Sequence, residues 1–250
     1  MQKDLRVHIA PVGYETMRVT EPLIQQRADK VYLISHNRDD KHAKEHLQKI
    51  DAELKDKHES IEIECIHLNF WDLYECIEEF RDIILKEKEN RIYVNVSTGS
   101  KITAIAGMLS CMLWSRAARP YFVHVSYKNR QVIQESEDVL RIDDELPTYE
   151  IKRPRKEIMS VLELLKGATD GTMQKKNIIQ ELEDRKIIEP TGKEDEKMTD
   201  PAKHSRLRTL LKPMESEFEY VSIKSAGSRS TVSITDQGKR ALRIFGVVDV

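Results

Sequence analysis

The chain has 250 residues, 39% hydrophobic and 34% charged, with a formal net charge of −2. That length suits two domains better than one, and a charged fraction above the roughly 25% usual in globular proteins makes a very soluble surface around ordinary packed cores. Three cysteines, Cys65, Cys76 and Cys111, are odd in number and far apart; this excludes a disulfide framework and a paired-cysteine zinc site, and all three read as small core residues.

In chain order, the opening MQKDLRVHIAPVG has no basic stretch leading into an apolar one, so no signal peptide is read there. The longest mostly apolar run, Ile102 to Trp114, is shorter than the ~20 residues a membrane helix needs. The expectation is a cytoplasmic protein with no membrane partner. Strands are predicted over 5–13, 30–35, 60–68, 91–97 and 120–127 from their length and their Val, Ile and Tyr content. Helical patterns lie between them, over 39–57 and 70–89. In the latter, Phe70, Leu73, Ile77, Phe80 and Ile84 recur at intervals of three and four and form one stripe to bury. Alternation of strands and helices needs crossovers, which implies an α/β, Rossmann-like and mostly parallel sheet. The turn YKNRQ after Val125 suggests that the sheet ends in an antiparallel hairpin.

At 142–157 the stretch IDDELPTYEIKRPRKE breaks the patterning with an acidic cluster, two prolines and a basic cluster. A sensing and dimerisation domain is expected over 1–141, a linker over 142–154 and a second domain over 155–250. Residues 1–150 carry 21 Lys and Arg against 27 Asp and Glu, a charge of −6; residues 151–250 carry 20 against 16, a charge of +4. Two such different surfaces point to two different tasks.

The second part starts with an amphipathic helix bearing Ile158, Val161, Leu162 and Leu165 and stopping at Gly167. A second helix follows over 172–188, with Thr172 as its expected N-cap and Ile178, Ile179 and Leu182 facing inward. After the polar insert 189–200, a third helix runs from Pro201, capped by Asp200. Leu207, Leu210, Leu211 and Met214 form its core face, and Lys203, Arg206, Arg208 and Lys212 the opposite one, with His204 nearby. No acid occurs from Pro201 through Met214. Two alternating strands around a glycine-containing turn, with Arg229 at its tip, and a last helix complete the order of a winged helix-turn-helix. Arg206 and Arg208 are then candidates for base or phosphate contact, and Lys203 and Lys212 for phosphate. A winged helix used for protein contacts is the alternative.

In open α/β sheets ligands bind beyond the carboxyl ends of the strands, near the point where strand order reverses. The loops to inspect are PVGYET (11–16), SHNRDD (35–40) and STGSK (97–101). In NVSTGSKITAI, Gly99 permits a tight strand-to-helix turn. The free amides of the following helix, the hydroxyls of Ser97, Thr98 and Ser100, and the Lys101 cation favour phosphate or carboxylate there. The same residues also suit a plain helix cap by Thr98 or Ser100 with Lys101 in solvent, and the sequence leaves both readings open. Val94 stands where a P-loop needs its first glycine, and neither GxSxG nor GxGxxG is present, which excludes the standard nucleotide-triphosphate loop, the hydrolase elbow and ordinary dinucleotide dehydrogenases. His42 and His46, beside Asp39 and Asp40, lack a third metal ligand and read as a solvated helix face. His8, His67 and His124 read as structural histidines. No metal and no resident cofactor is expected.

A Rossmann-like domain with a strand-end STGSK, joined through a linker to a winged helix, resembles the CARF (CRISPR-associated Rossmann fold) transcriptional regulators of archaea. The resemblance implies a homodimer whose two-fold axis passes through a pocket for a cyclic oligoadenylate, a nucleotide second messenger. Thr98, Gly99, Ser100 and Lys101 would hold phosphate or ribose, and Gly13, Tyr14, Glu15 and Thr16 would close over it. Some members have two glycines in the later loop; this chain has one. The function implied is a ligand-responsive regulator of transcription that binds palindromic double-stranded DNA and is not an enzyme. Two other readings stand beside it: a nuclease cleaving a cyclic oligonucleotide, with the hydroxyls and Lys101 stabilising the transferring phosphate, and a regulator whose first domain only dimerises.

Overall fold

The computed structural model describes residues 4–38, 41–125, 127–128, 131–132, 140–187, 200–224 and 230–246. Two compact units divide the chain, Met1–Lys152 and Arg153–Val250.

In the first unit the order is β1 (Arg6–Pro11), α1 (Met17–Gln25), β2 (Lys30–His36), α2 (Lys41–Lys57), β3 (Glu62–Leu68), α3 (Leu73–Lys86), β4 (Arg91–Asn95), α4 (Lys101–Leu113), β5 (Ala118–Val125), β6 (Tyr127–Lys128), β7 (Gln131–Val132) and β8 (Leu140–Asp143). The main sheet runs β3-β2-β1-β4-β5-β8. Its first five strands are parallel and β8 pairs antiparallel with β5. This is the Rossmann-like α/β sheet expected. The short β6 and β7 pair with each other as an antiparallel hairpin, but the edge of the sheet is β8, a four-residue strand too short to read from its pattern. It includes Ile142 and Asp143, the first residues of the expected linker, and Ile151 N–H donates to the Met112 carbonyl at 3.0 Å.

Strand order reverses between β1 and β4, so the loops that follow these two strands share one crevice. The β1 and β2 interiors, among them Val7, Ile9, Val31 and Leu33, are fully buried. The α3 stripe is buried at Phe70, Ile77, Phe80 and Ile84 and half-buried at Leu73. Its helix starts three residues after Phe70 because the Asp72 carboxylate accepts the N–H groups of Tyr74 and Glu75. Gly107 lets α4 lie close to the sheet: a β-carbon there would sit 3.1 Å from Val94 and Val96 and 3.3 Å from the Phe80 ring. Cys76 and Cys111 are buried as expected; Cys65 is exposed, because β3 is an edge strand.

The second unit comprises α5 (Lys156–Gly167), a 3₁₀ turn (Thr169–Gly171), β9 (Thr172–Gln174), α6 (Lys175–Asp184), α7 (Asp200–Ser216), β10 (Val221–Lys224), β11 (Thr231–Ile234) and α8 (Asp236–Phe245). Its core joins Leu162, Leu165, Ile178, Leu182, Leu207, Leu211, Met214 and Val232, with Leu210 half-buried beside them. The winged-helix order expected from the sequence is present. One expectation is corrected: Thr172 is not a helix cap. It opens β9, which pairs with β11, and its hydroxyl meets that of Ser233 at 2.8 Å, so α6 begins only at Lys175. The expected insert lies almost wholly outside the described residues.

Candidate functional site

The two loops at the crevice are built around a glycine–glycine contact. A β-carbon on Gly13 would lie 2.9 Å from the Gly99 nitrogen. Gly99 itself has φ +79, and a β-carbon there would lie 2.6 Å from both Pro11 Cβ and Thr103 Oγ1. Any side chain at either position forces the loops apart. The buried Thr98 hydroxyl donates to the Pro11 carbonyl and ties the later loop to the earlier one.

Ser100 is the N-cap of α4, one of the alternatives the sequence leaves open. Its hydroxyl accepts the Thr103 N–H at 3.1 Å while Thr103 Oγ1 accepts the Ser100 N–H at 2.8 Å, a reciprocal capping box. Ser97 Oγ and N–H both donate to Asn95 Oδ1. All three hydroxyls expected to meet a ligand are thus turned inward and shape the loop. What faces outward is Lys101, exposed and in no ion pair among the described residues, together with the electropositive first turn of α4.

From the earlier loop, Tyr14 is 69% exposed and lies edge-on to the His46 ring, 5.5 Å between centroids. The Thr16 hydroxyl is 3.3 Å from His46 Nδ1, so His46 supports this loop and is not merely solvated. His42 is exposed beside Glu45. Glu15 pairs with Arg18 at 3.0 Å.

Arg18 and Asn95 belong to this site and were not singled out in the sequence. The Arg18 guanidinium donates to the Ser97 carbonyl at 3.0 Å and lies 5.7 Å from the centre of the Phe122 ring. Asn95 Nδ2 donates to the Arg18 carbonyl at 2.9 Å. The available signals were a lone amide ending the apolar β4 and an arginine three residues after Glu15. Below them, His8 is stacked on Tyr93 with its Nδ1 3.3 Å from the Tyr121 hydroxyl. Burial, reinforced by Arg6, holds the His8 imidazole down at about 3, from an ordinary 6.5, so it is neutral. His67 Nδ1 contacts Ser35 Oγ, and His124 contacts Arg141.

In the second unit, His204, Arg208 and Lys212 are exposed at four-residue spacing and form one open basic stripe along α7. Arg206 is half-buried, off that stripe, and Lys203 is drawn to Glu183 of α6 at 2.5 Å. Arg229 lies outside the described residues. No cluster of three metal-ligating side chains occurs among the described residues, and no helix among them is long and apolar enough to cross a membrane.

Residues 6–128 match the family model HFX_2341_N, described as an N-terminal domain, and residues 157–246 match the DUF6293 C-terminal winged helix domain. Over 126 residues, 47% of this chain, the sequence is 36% identical to the uncharacterized protein MJ1513 of Methanocaldococcus jannaschii, covering 37% of that protein. Among solved structures, Can2 from Sulfobacillus thermosulfidooxidans in complex with cyclic tetra-adenylate is similar at a TM-score of 0.41 and 14% identity, over 96% of this chain and 63% of Can2. Csm6 of Enterococcus italicus, bound to cyclic hexa-2′-fluoro-hexa-dAMP, is similar at 0.42 and 11%, over 85% of this chain and 56% of Csm6. The chain spans less than two thirds of each of these three proteins.

Proposed function

Taking the chain as an HFX_2341-like N-terminal domain followed by a DUF6293 winged helix, we propose that it is a ligand-responsive, DNA-binding regulator of transcription whose first unit senses a nucleotide. The observation that carries this reading is the meeting of Gly13 and Gly99 at the reversal of strand order, beneath the first turn of α4 and Lys101. An anionic group there would be held by backbone amides and one lysine. The resemblance to CARF regulators makes a cyclic oligoadenylate the first ligand to test. The α7 stripe of His204, Arg208 and Lys212 supports phosphate or base contact with duplex DNA.

A homodimer is supported by α4. Its buried side faces the sheet and α3, while Ile105 is 49% exposed and Met108 and Met112, on the same face, are half-exposed. Lys101 begins that apolar stripe one turn before Ile105. Pairing two such faces would bury the stripe and bring two Lys101 side chains to one symmetric ligand. The same helix offers a route for coupling. It starts at the ligand loop, and the carbonyl of Met112, about 18 Å further along, holds Ile151 just before the second unit.

Calorimetric titration of the full chain with cyclic tetra-adenylate tests the sensing half. Saturable binding that weakens at least ~10-fold in Lys101→Ala is expected, since a charge-assisted contact is lost. No heat at high ligand concentration removes that ligand. Linear products in the same cell would turn the reading toward a nuclease.

A further inference from the structure

The cations of α7 are not equally placed to meet DNA. Lys203 is held by Glu183, and Arg206 is half-buried. Arg208 is exposed, and its guanidinium makes no ion pair or hydrogen bond among the described residues. The exposed residues beside it, Ser205 and Thr209, are short, so a base edge can come within reach of the guanidinium. The Thr209 hydroxyl donates to the Ser205 carbonyl at 3.1 Å, which spends its proton inside the helix and leaves no donor there for a base. Lys212 is exposed one turn further on, at the side of α7 that carries Arg208.

A recognition helix enters the major groove with its N-terminal residues at the base edges. From Pro201 to Arg208 the helix rises about 11 Å, close to the ~12 Å width of that groove, so Arg208 still lies over base edges. Lys212, about 6 Å further along, reaches the phosphate wall. The two side chains differ in the same sense. An arginine presents two parallel N–H donors in a fixed fork, whereas a lysine is a point charge suited to phosphate. Guanine offers two acceptors in the major groove, O6 and N7. Adenine and cytosine each turn an amino donor toward the cation there, and thymine sets a methyl group beside its one oxygen. Resting on the DNA-binding reading, which leaves the sequence read open, we infer that Arg208 selects a guanine. Its guanidinium donates to O6 and N7 while Lys212 pairs with a backbone phosphate. Loss of Arg208 then costs mainly discrimination between sequences, and loss of Lys212 costs affinity for every sequence alike.

Selection of duplexes from a random pool by the full chain, with and without cyclic tetra-adenylate, followed by anisotropy titration of the selected duplex, tests this assignment. One guanine per bound winged helix is expected. Replacing it with 7-deazaguanine, which lacks N7, should weaken binding by the parent at least ~5-fold and binding by Arg208→Ala less than ~2-fold. The modified base leaves the protein unaltered, so a folding defect cannot imitate its effect. Lys212→Ala should select the parent's sequence and flatten the slope of log K against log salt by about 1. Parent binding that is indifferent to 7-deazaguanine at every selected guanine overturns the assignment and leaves DNA binding intact. So does an Arg208→Ala variant that selects the same guanine as strongly as the parent, or a parent that binds duplexes with no preference among them. Failure of the parent to bind any duplex overturns both readings.

Discussion

The candidate sites of the two units present positive potential in opposite ways. In the first, the candidate site is mostly backbone: two glycines in contact, a capped helix end, hydroxyls turned inward, and Lys101 as its outward charge. In the second, the candidate surface is mostly side chain, with His204, Arg208 and Lys212 standing off an ordinary helix. A backbone site is rigid, shaped for one small anion and intolerant of added atoms. A side-chain stripe adapts to a long polyanion and tolerates the loss of any one member. The first should therefore fail by geometry and the second by degrees of charge.

Substitution at Gly99 breaks the comparison most severely if it is wrong. Gly99→Ala forces a non-glycine residue to positive φ, on the order of 1–3 kcal/mol, and adds 2.6 Å contacts to Pro11 and Thr103. Loss of nucleotide binding is expected, with the first unit's melting temperature lowered by about 5 °C or more in calorimetry. A parent-like melt with parent-like binding would mean that the loop is looser than described.

Next in size is Arg208→Ala combined with Lys212→Ala. Affinity for duplex DNA should fall by about 10-fold or more, and the dependence of log K on log salt should flatten by about 1 for each phosphate contact removed. Anisotropy titrations at several salt concentrations check both. An unchanged slope assigns the winged helix to protein contacts.

A third test isolates the first unit by pH. His8 is neutral in the fold down to about 3, whereas the unfolded chain takes up that proton near 6.5. Its contribution is therefore complete above pH 6.5 and is lost as pH falls from 6.5 toward 3, by at most ~1.4 kcal/mol per pH unit. His8→Phe should show a shallower loss of stability than the parent across that window in chemical denaturation, and parallel curves would contradict the buried neutral histidine. The smallest effect is expected at Lys203. Because it is held by Glu183, Lys203→Ala should change DNA affinity by less than about 2-fold and stability by roughly 1 kcal/mol or less; a large drop in DNA affinity would return this lysine to the binding face.

Much of the fold is legible in the sequence because its elements obey one period each. The five parallel strands and the Phe70–Ile84 stripe repeat long enough to be read, while β8 and β9, of four and three residues, do not. Both glycine loops of the candidate site are visible in the sequence as punctuation at strand ends. The direction of the hydroxyls is not, because it depends largely on acceptors brought in from elsewhere: the Pro11 carbonyl for Thr98 and the Phe70 carbonyl for Ser100. Arg18 escapes notice for the same reason, since its place is set by the Ser97 carbonyl, far from it in the chain. The third helix shows the limit of face assignment from charge alone. All its basic residues look equivalent in sequence, yet α6 claims Lys203 and burial claims much of Arg206.

The central claim is that occupancy of the first unit alters DNA binding by the second. Fluorescence anisotropy of a duplex selected from a random pool, titrated with the full chain with and without saturating cyclic tetra-adenylate, tests it most directly. The dissociation constant is expected to shift by at least ~5-fold, and the shift to vanish in Lys101→Ala while that variant still binds DNA. Superimposable isotherms, under conditions where calorimetry shows the ligand bound, would contradict it.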